Sequence, residues 1–397
     1  MQKIHELIKK LCPNGVEYKN IQELCKISRG KVMSKDFIKS NAGEYPVYSS
    51  QTENNGELGK ISTYDFDGEY LTWTTDGANA GSVFYRKGKF SVTNVCGLLE
   101  IKSKVMITKF LYYVLSIEAP KYVNAGMGNP KLMSNVMAKI RVAVPPLEVQ
   151  CEIVHILDDF TELSAELSAE LKARQKQYEY YMDKIFNNAT QTKMVKLSNV
   201  LVSLKTGLNP RKFFQLNTPD ANGYYVTVRE LGDRNVRYWE SKDRINQIGL
   251  SRINERSNLE INDVLFSGTG TIGRVSIIEE KPEDWNVKEG VYILKPKIDL
   301  INPVFLMYLM KSNYMRNIYS NYIVGSPVSS VPMKDLKNVE FDLPSIEEQE
   351  KIVRILDRFD QLCTDISEGL PAEIEARQKQ YEYYRDKLLT FKELKVN

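Results

Sequence analysis

The sequence predicts an α+β chain in which two tandem mixed α/β domains are joined by two long helices. Three observations predict it. The nonapeptide ARQKQYEYY occurs at 173–181 and again, letter for letter, at 376–384. Each copy ends a stretch whose apolar residues recur every three or four positions, the period of a helix with one sticky face. The segments between those stretches also form a pair, and each mixes strand-like with helix-like patterns.

The repeat is longer than nine letters. PPLEVQCEIVHILDDFTEL (145–163) parallels PSIEEQEKIVRILDRFDQL (344–362). Both open on proline, which suits a first helical turn, and Ser345 with Glu348 forms a candidate capping box. The first stripe runs through Val149, Ile153, Ile156, Phe160, Leu163, Leu167, Leu171, Tyr178, Tyr181 and Ile185. The second runs through Val353, Leu356, Phe359, Leu362, Ile366, Leu370, Ile374, Tyr381, Tyr384 and Leu388. Stripes sustained this long are expected to pair helix with helix. Gly369 and Pro371 interrupt the second pattern, where a break or kink is expected.

Within the domains, 70–103 and 264–297 share an order of β-rich run, glycine-rich turn, second strand and apolar strand. Helix-like ITKFLYYVLS (107–116) and NPVFLMYLMKS (302–312) follow, and then 126–146 matches 324–345. The expected divisions are an N-terminal helical arm (1–15), a first domain (16–147), a central helix (148–190), a second domain (191–345) and a C-terminal helix (346–397).

Charge sorts with these divisions. Residues 16–147 carry 17 basic and 12 acidic side chains, and residues 191–345 carry 21 and 17. The helical segments 148–190 (4 and 9) and 346–397 (9 and 12) are acidic, so the overall +3 conceals two basic domains on acidic struts. That is the footprint of a chain that meets a polyanion with its domains and something else with its helices.

Catalytic parts are sought without success. Five scattered cysteines without a CxxC and only two histidines, His5 and His155, leave little material for a disulfide framework, a metal cluster or histidine chemistry. A reducing cytoplasm is the expected compartment. No run of eighteen apolar residues exists, and the N-terminus lacks the features of a secretion signal. GTGTIG (268–273) has dinucleotide-loop spacing, but the β-branched RVSIIEE after it predicts a strand instead of the required helix, hence a tight β-turn. NPVF (302–305) lacks the second proline of the tetrad by which methyltransferases hold a flipped base. No catalytic residue and no metal ligand is assigned.

Two α/β domains, each followed by a P-x-x-E-x-Q-x-x-I-V-x-I-L-D-x-F…ARQKQYEYY helix, resemble the specificity subunit of type I restriction–modification enzymes over essentially the whole chain. The resemblance implies that each domain is a target-recognition domain reading one half of a split, asymmetric DNA site. It implies that the two helices pair as an antiparallel, pseudo-two-fold symmetric coiled coil and act as spacers. They would dock two methyltransferase subunits, which two restriction–translocase subunits then join. This chain itself would carry no cofactor; S-adenosylmethionine, ATP and Mg would belong to the partner subunits. Some members of that family carry tandem four-residue repeats in the central helix, as TELSAELSAEL (161–171) does here. One SAEL unit adds at most ~6 Å of helix, a step suited to retuning a half-site gap. The N-terminal MQKIHELIKK is expected to form an orphan helix near the C-terminal end. Two other readings are a self-contained DNA modification or restriction enzyme, and a coiled-coil scaffold whose domains bind another ligand.

Candidate DNA contacts are polar and basic residues of the glycine-containing loops. In the first domain they are Arg29, Lys31, Lys35, Thr75, Asn79, Arg86, Asn129 and Lys131. In the second they are Lys205, Arg211, Lys212, Arg229, Ser267, Thr269, Thr271, Arg274 and Ser326. The recurring pairs Tyr178/Tyr181 and Tyr381/Tyr384 lie on the helix stripe and are assigned to helix pairing or partner docking.

Overall fold

A computed structural model describes residues 2–124, 126, 128–187, 192–364 and 369–394; the side chains of Arg211, Lys212, Cys363 and Thr364 lie outside it. The chain divides into two units, Met1–Glu166 with Glu375–Asn397, and Leu167–Ile374. The central helix Leu147–Asn187 supplies its first half to one unit and its second half to the other. The C-terminal segment forms two helices, Ile346–Thr364 and Leu370–Leu389, separated at the expected Gly369–Pro371 interruption.

In the first unit a six-stranded sheet runs in the order Cys25–Arg29, Cys96–Ile101, Phe66–Thr74, Val83–Val92, Ala42–Tyr48, Glu57–Ile61. Its pairs are antiparallel except for Ala42–Tyr48 beside Val83–Val92. Glu17–Asn20 pairs separately with Arg141–Val144, just before the central helix. Helix Thr108–Glu118 covers the sheet, burying Phe110, Leu111 and Val114 with Leu71, Trp73 and Leu99. Val149, Ile153 and Leu157 of the central helix, and Leu388 of the last helix, complete this core. Each fully buried side chain of this kind contributes about 1.5–3 kcal/mol.

The second unit repeats the plan. Strands Leu201–Thr206, Val291–Pro296, Val264–Ser267 and Val275–Ile277 form an antiparallel sheet in the order that their counterparts adopt in the first unit. Lys193–Lys196 pairs with Glu340–Leu343, as Glu17–Asn20 does with Arg141–Val144. Helix Pro303–Lys311 covers the sheet, and Ile352, Leu356, Met182 and Phe186 close the core from the long helices. A three-stranded sheet of Arg244–Ile245, Gly223–Val226 and Trp285–Val287 takes the place of the first unit's outer strands.

Two sequence-derived motifs resolve in local terms. GTGTIG is the turn between antiparallel strands Val264–Ser267 and Val275–Ile277, and Gly270 takes the left-handed backbone (φ +79°) that this turn needs. NPVF is a helix start: Asn302 accepts hydrogen bonds from the Val304 and Phe305 N–H groups, and Pro303 fills the first turn. The capping box at Ser345 is half-made. Ser345 Oγ accepts from the Glu348 N–H at 3.4 Å, but the Glu348 carboxylate turns to Lys351 at 3.0 Å.

The N-terminal arm is helical over Gln2–Leu11, buries Ile4 in the first core, and ties Lys3 to Glu152 at 2.7 Å. Beyond it, the Val16 N–H donates to the Lys392 carbonyl at 2.9 Å, so the two ends of the chain meet in the first unit. Among the described residues no helix is long and apolar enough to cross a membrane.

Candidate nucleic-acid interface and its helical mount

Each domain is fastened to its long helix by the same set of contacts. In the first unit the fully buried Gln150 side chain accepts from the Ile107 N–H at 2.8 Å and donates to the Val105 and Pro145 carbonyls at 2.7 and 2.8 Å. In the second, Gln349 accepts from the Asn302 N–H at 2.8 Å and donates to the Leu300 and Pro344 carbonyls at 3.2 and 3.0 Å. Two turns beyond, Asp158 accepts from the Tyr113 hydroxyl and pairs with Lys109, both at 2.6 Å. Asp357 accepts from the Tyr308 hydroxyl at 2.7 Å and pairs with Arg234 at 2.8 Å. These residues are the Q and D of the repeated P-x-x-E-x-Q…I-L-D. They recur because each glutamine satisfies buried backbone groups, and each aspartate a tyrosine hydroxyl and a cation, at a domain–helix junction.

The helix stripes pair, with one correction. Phe160 packs on Tyr381 and Tyr384 in the first unit, and Phe359 on Tyr178 and Tyr181 in the second. Leu167 and Leu370 are buried, and Leu163, Leu171 and Ile374 are half-buried, whereas Leu362 is 39% exposed. Ile366 lies outside the described residues. The single stripe read from the sequence is in fact two faces. Leu157 and Ile352, absent from that stripe, are buried against the domains, while Phe160 and Phe359 serve the partner helix. A helix wedged between a domain and another helix needs apolar residues on more than one arc.

At one end of the first domain five loops converge. The Leu132 N–H donates to the Thr75 carbonyl at 2.9 Å, the Gly77 N–H to Pro130 at 3.1 Å, and the Asn94 N–H to Lys31 at 3.0 Å. Asn79 Nδ2 donates to Thr52 Oγ1 at 2.8 Å, and Ser50 Oγ accepts from the Thr75 N–H at 3.0 Å. Lys31, Thr75, Asn79, Asn129 and Lys131 are thus brought together. Arg29, at a strand end, reaches the same 129–134 loop by donating to Ser134 Oγ at 3.2 Å. Lys31 also pairs with Asp65 at 2.7 Å, and Lys35 is exposed at the start of helix Lys35–Ser40.

The equivalent loops of the second domain meet in the same way. The Val331 N–H donates to Gly268 at 2.9 Å, the Gly270 N–H to Ser329 at 2.8 Å, and the Gly268 N–H to Gly290 at 2.9 Å. This gathers Thr269, Thr271, Arg274, Ser326 and Arg229, whose carbonyl accepts from Arg274 at 3.4 Å. A cleft of about 540 Å³ runs along this set, lined by Arg229, Thr269, Lys288 and Val328. Lys205 lies apart from it as an exposed residue of strand Leu201–Thr206. Arg211 and Lys212 sit in the helical turn Pro210–Phe213, and their side chains lie outside the described residues.

The close approach of these loops to the strands explains a glycine in each unit. A Cβ on Gly30 would run into the Val92 carbonyl, and one on Gly207 into that of Val287.

Three of the expected contacts are not in exposed loops. Arg86 belongs to strand Val83–Val92 and is 3% exposed, its guanidinium 3.6 Å from the Tyr48 ring centre and its Nε donating to Thr72 Oγ1 at 3.0 Å. Thr75 and Ser267 are buried because their hydroxyls satisfy loop backbone: Thr75 donates to the Val95 carbonyl at 2.7 Å, Ser267 to the Thr271 carbonyl at 2.6 Å. Sequence reasoning also passed over the loop 49–57, whose Asn54 and Asn55 both hold left-handed backbone (φ 48° and 53°) at an exposed tip. It passed over Lys311 and Arg316 too, which line a second, polar cleft of about 780 Å³ beside Arg274; both stand on helices, where no loop signal marks them. Burial pushes the Cys96 thiol up to about 12, so this cysteine is a packing group. Among the described residues no group of three or more His, Cys, Asp or Glu side chains could hold a metal ion.

This doubled architecture has relatives. A family-wide sequence model described as the type I restriction modification DNA specificity domain matches twice, over residues 13–174 and 191–376. A putative type I specificity subunit of Mycoplasma pneumoniae is 36% identical over 376 residues, covering 93% of this chain and 96% of that protein. The specificity subunit of the type I restriction enzyme MpnII, from the same organism, is 45% identical over 202 residues, 49% of this chain and 61% of that one. Among solved structures, a chain from a study of complex assembly and conformational transition of the type I R-M system superposes with a TM-score of 0.63 at 15% identity, covering 95% of this chain and 98% of its own. The S subunit of a type I restriction–modification system from M. genitalium gives 0.55 at 15% identity, with 94% and 96% covered, a likeness of fold. With two matched domains spanning most of its length and a relative similar from end to end, this chain belongs to the family of type I restriction modification DNA specificity domains.

Proposed function

We propose that the chain is the DNA-specificity subunit of a type I restriction–modification complex, reading a bipartite, asymmetric site with one domain per half. One observation carries this reading. The loop clusters of the two units are built on the same strand order and the same backbone contacts, yet the side chains they present differ. Asn79, Asn129 and Lys131 stand in one cluster where Thr269, Thr271 and Ser326 stand in the other. A shared frame with different polar groups is what two half-site readers of different sequence require, since base edges are distinguished by the donors and acceptors offered to them.

The helices supply the second part of the proposal. They hold the two readers at a set spacing and dock two methyltransferase subunits, which restriction subunits then join. The nonapeptide supports this reading because its identity extends to positions that internal packing does not require. Tyr180 and Tyr383 are each 61% exposed, each lies edge-on to the next tyrosine, and each has a lysine, Lys184 or Lys387, within about 6 Å of its ring. Two identical exposed patches suit two copies of one partner. S-adenosylmethionine, ATP and Mg would be used by those partners, and the role of this chain is recognition without catalysis.

The test is a chimera in which residues 191–345 are replaced by another domain of the family, combined with the companion subunits, and its methylated motif sequenced. One half-site should change. A change in both halves would count against independent readers. A scaffold without DNA affinity would show no steep loss of duplex binding as salt rises.

A further inference from the structure

The second domain carries a small recess that none of the candidate DNA contacts lines. It measures about 130 Å³ and lies among Tyr238, Trp239, Trp285, Ile278 and the carboxylates of Glu279 and Glu280. Trp239 is 55% exposed and stands at 80° to Tyr238, centroids 5.2 Å apart, so that the two rings form a corner. Tyr238 in turn lies flat on the buried Trp285, with 5.4 Å between centroids and 7° between planes, which holds the corner rigid.

The charge beside this corner opposes that of its domain. The stretch 279–284 (EEKPED) has four carboxylates to one lysine, in a domain that is otherwise basic. Burial and then the nearby Asp284 and Glu280 raise the Tyr238 phenol, which places their negative field on the ring. Lys281, on the rim, is paired with Glu283 at 3.7 Å. The chain itself sets cations on such rings: Lys89 sits 4.6 Å from the Tyr64 ring centre, and Arg244 3.8 Å from that of Tyr224, which is edge-on to Tyr238. Rings set at right angles with carboxylates at the lip attract a cation and repel a phosphate.

We infer that this recess receives a lysine or arginine side chain from a basic segment of a companion protein. Its position supports a partner that also meets the helices. Glu279 at the lip is bound by Arg234 at 2.8 Å, and Arg234 is the residue that grips Asp357 on helix Ile346–Thr364. The first unit offers no counterpart: the strand Val83–Val92 carries Arg86, Lys87 and Lys89 where the second domain places its acidic stretch. The recess therefore distinguishes the two otherwise repeated halves for a partner that approaches both.

Tryptophan fluorescence of the full chain tests the inference without any companion. Trp73 is fully buried and serves as an internal constant, and Trp239 is the exposed reporter. Titration with a capped penta-arginine peptide should give a saturable change, absent with penta-glutamate. E280Q should weaken it roughly two- to fivefold, the range for the loss of one exposed ion pair. W239A should leave at most the response of Trp285 beneath Tyr238 and, in competition with a dye-labelled peptide, weaken binding roughly three- to thirtyfold, the range for a cation over an aromatic ring. In the assembled complex both variants should lower subunit affinity and leave the methylated motif as it was. An unsaturable response, or equal peptide binding by W239A, overturns the inference. So does quenching of Trp239 by duplex DNA in place of the peptide, which would make the corner a base-stacking contact. Peptide binding is read without DNA or companion subunits, so its failure is separable from failure of the DNA-specificity reading, which the domain chimera tests.

Discussion

Phe359 lies on Tyr181 with ring centroids 5.7 Å apart and planes inclined by 26°. Phe160 and Tyr384 repeat the relation at 5.7 Å and 27°. One aromatic lock is thus made twice from duplicated letters, and each nonapeptide serves the stripe of the other repeat. Truncation at the two places should cost alike. F160A and F359A are each expected to lose about 2–4 kcal/mol, somewhat below the full cost of a wholly buried ring. Urea unfolding measures both, and a large loss from one with none from the other would contradict equivalence.

The buried glutamines should be more sensitive than their size suggests. Q150A leaves the Ile107 N–H and the Val105 and Pro145 carbonyls without their partner, and Q349A does the same at Asn302, Leu300 and Pro344. Each variant should lose about 2–4 kcal/mol, because several buried polar groups go unsatisfied at once. Hydrogen exchange should accelerate at the Ile107 amide in the first variant and at the Asn302 amide in the second, while the reading loops stay as protected as before.

Removal of one SAEL unit (residues 164–167) should shorten the gap in the methylated motif and leave both half-sites intact. The deletion takes out at most ~6 Å of helix and a little more than one turn, so the apolar stripe keeps nearly its phase. Sequencing the methylated sites reads the result, and an unchanged gap would refute the spacer role.

Charge in the loop clusters should show up as salt dependence. K131Q and R274Q are each expected to reduce the slope of log affinity against log salt by about one, with little change in preferred sequence. R86M is the contrasting variant. Its guanidinium is packed under Tyr48 inside the sheet, so stability should fall while the salt slope is kept. Equal slopes for all four proteins, wild type included, would remove Lys131 and Arg274 from the interface.

Much of this was legible beforehand. The duplicated letters announced the two units, the three-and-four spacing announced Leu147–Asn187 as one helix, and the β-branched residues after GTGTIG announced a turn between strands. The loop residues Asn79, Lys131, Thr269 and Arg274 were found from polarity and glycine content, and they do gather at the ends of the sheets. Arg86, Thr75 and Ser267 resisted such reading because polarity does not reveal whether a side chain faces water or satisfies neighbouring backbone. Gln150 and Gln349 drew no notice as letters, since their partners are main-chain groups that have no letter of their own.

What the sequence by itself determined is therefore periodic and local: which stretches are helix or strand, where they stop, and that the whole is written twice. Backbone preference and side-chain spacing act over a few residues, and a single chain displays them openly. Only the tertiary structure decided which face of each helix meets a domain and which meets its partner helix, which loops share an end, and which cations are spent inside. Those choices rest on contacts between residues far apart in the chain, such as Asp158 with Tyr113 or Gly270 with Ser329, where packing and hydrogen-bond satisfaction are settled jointly.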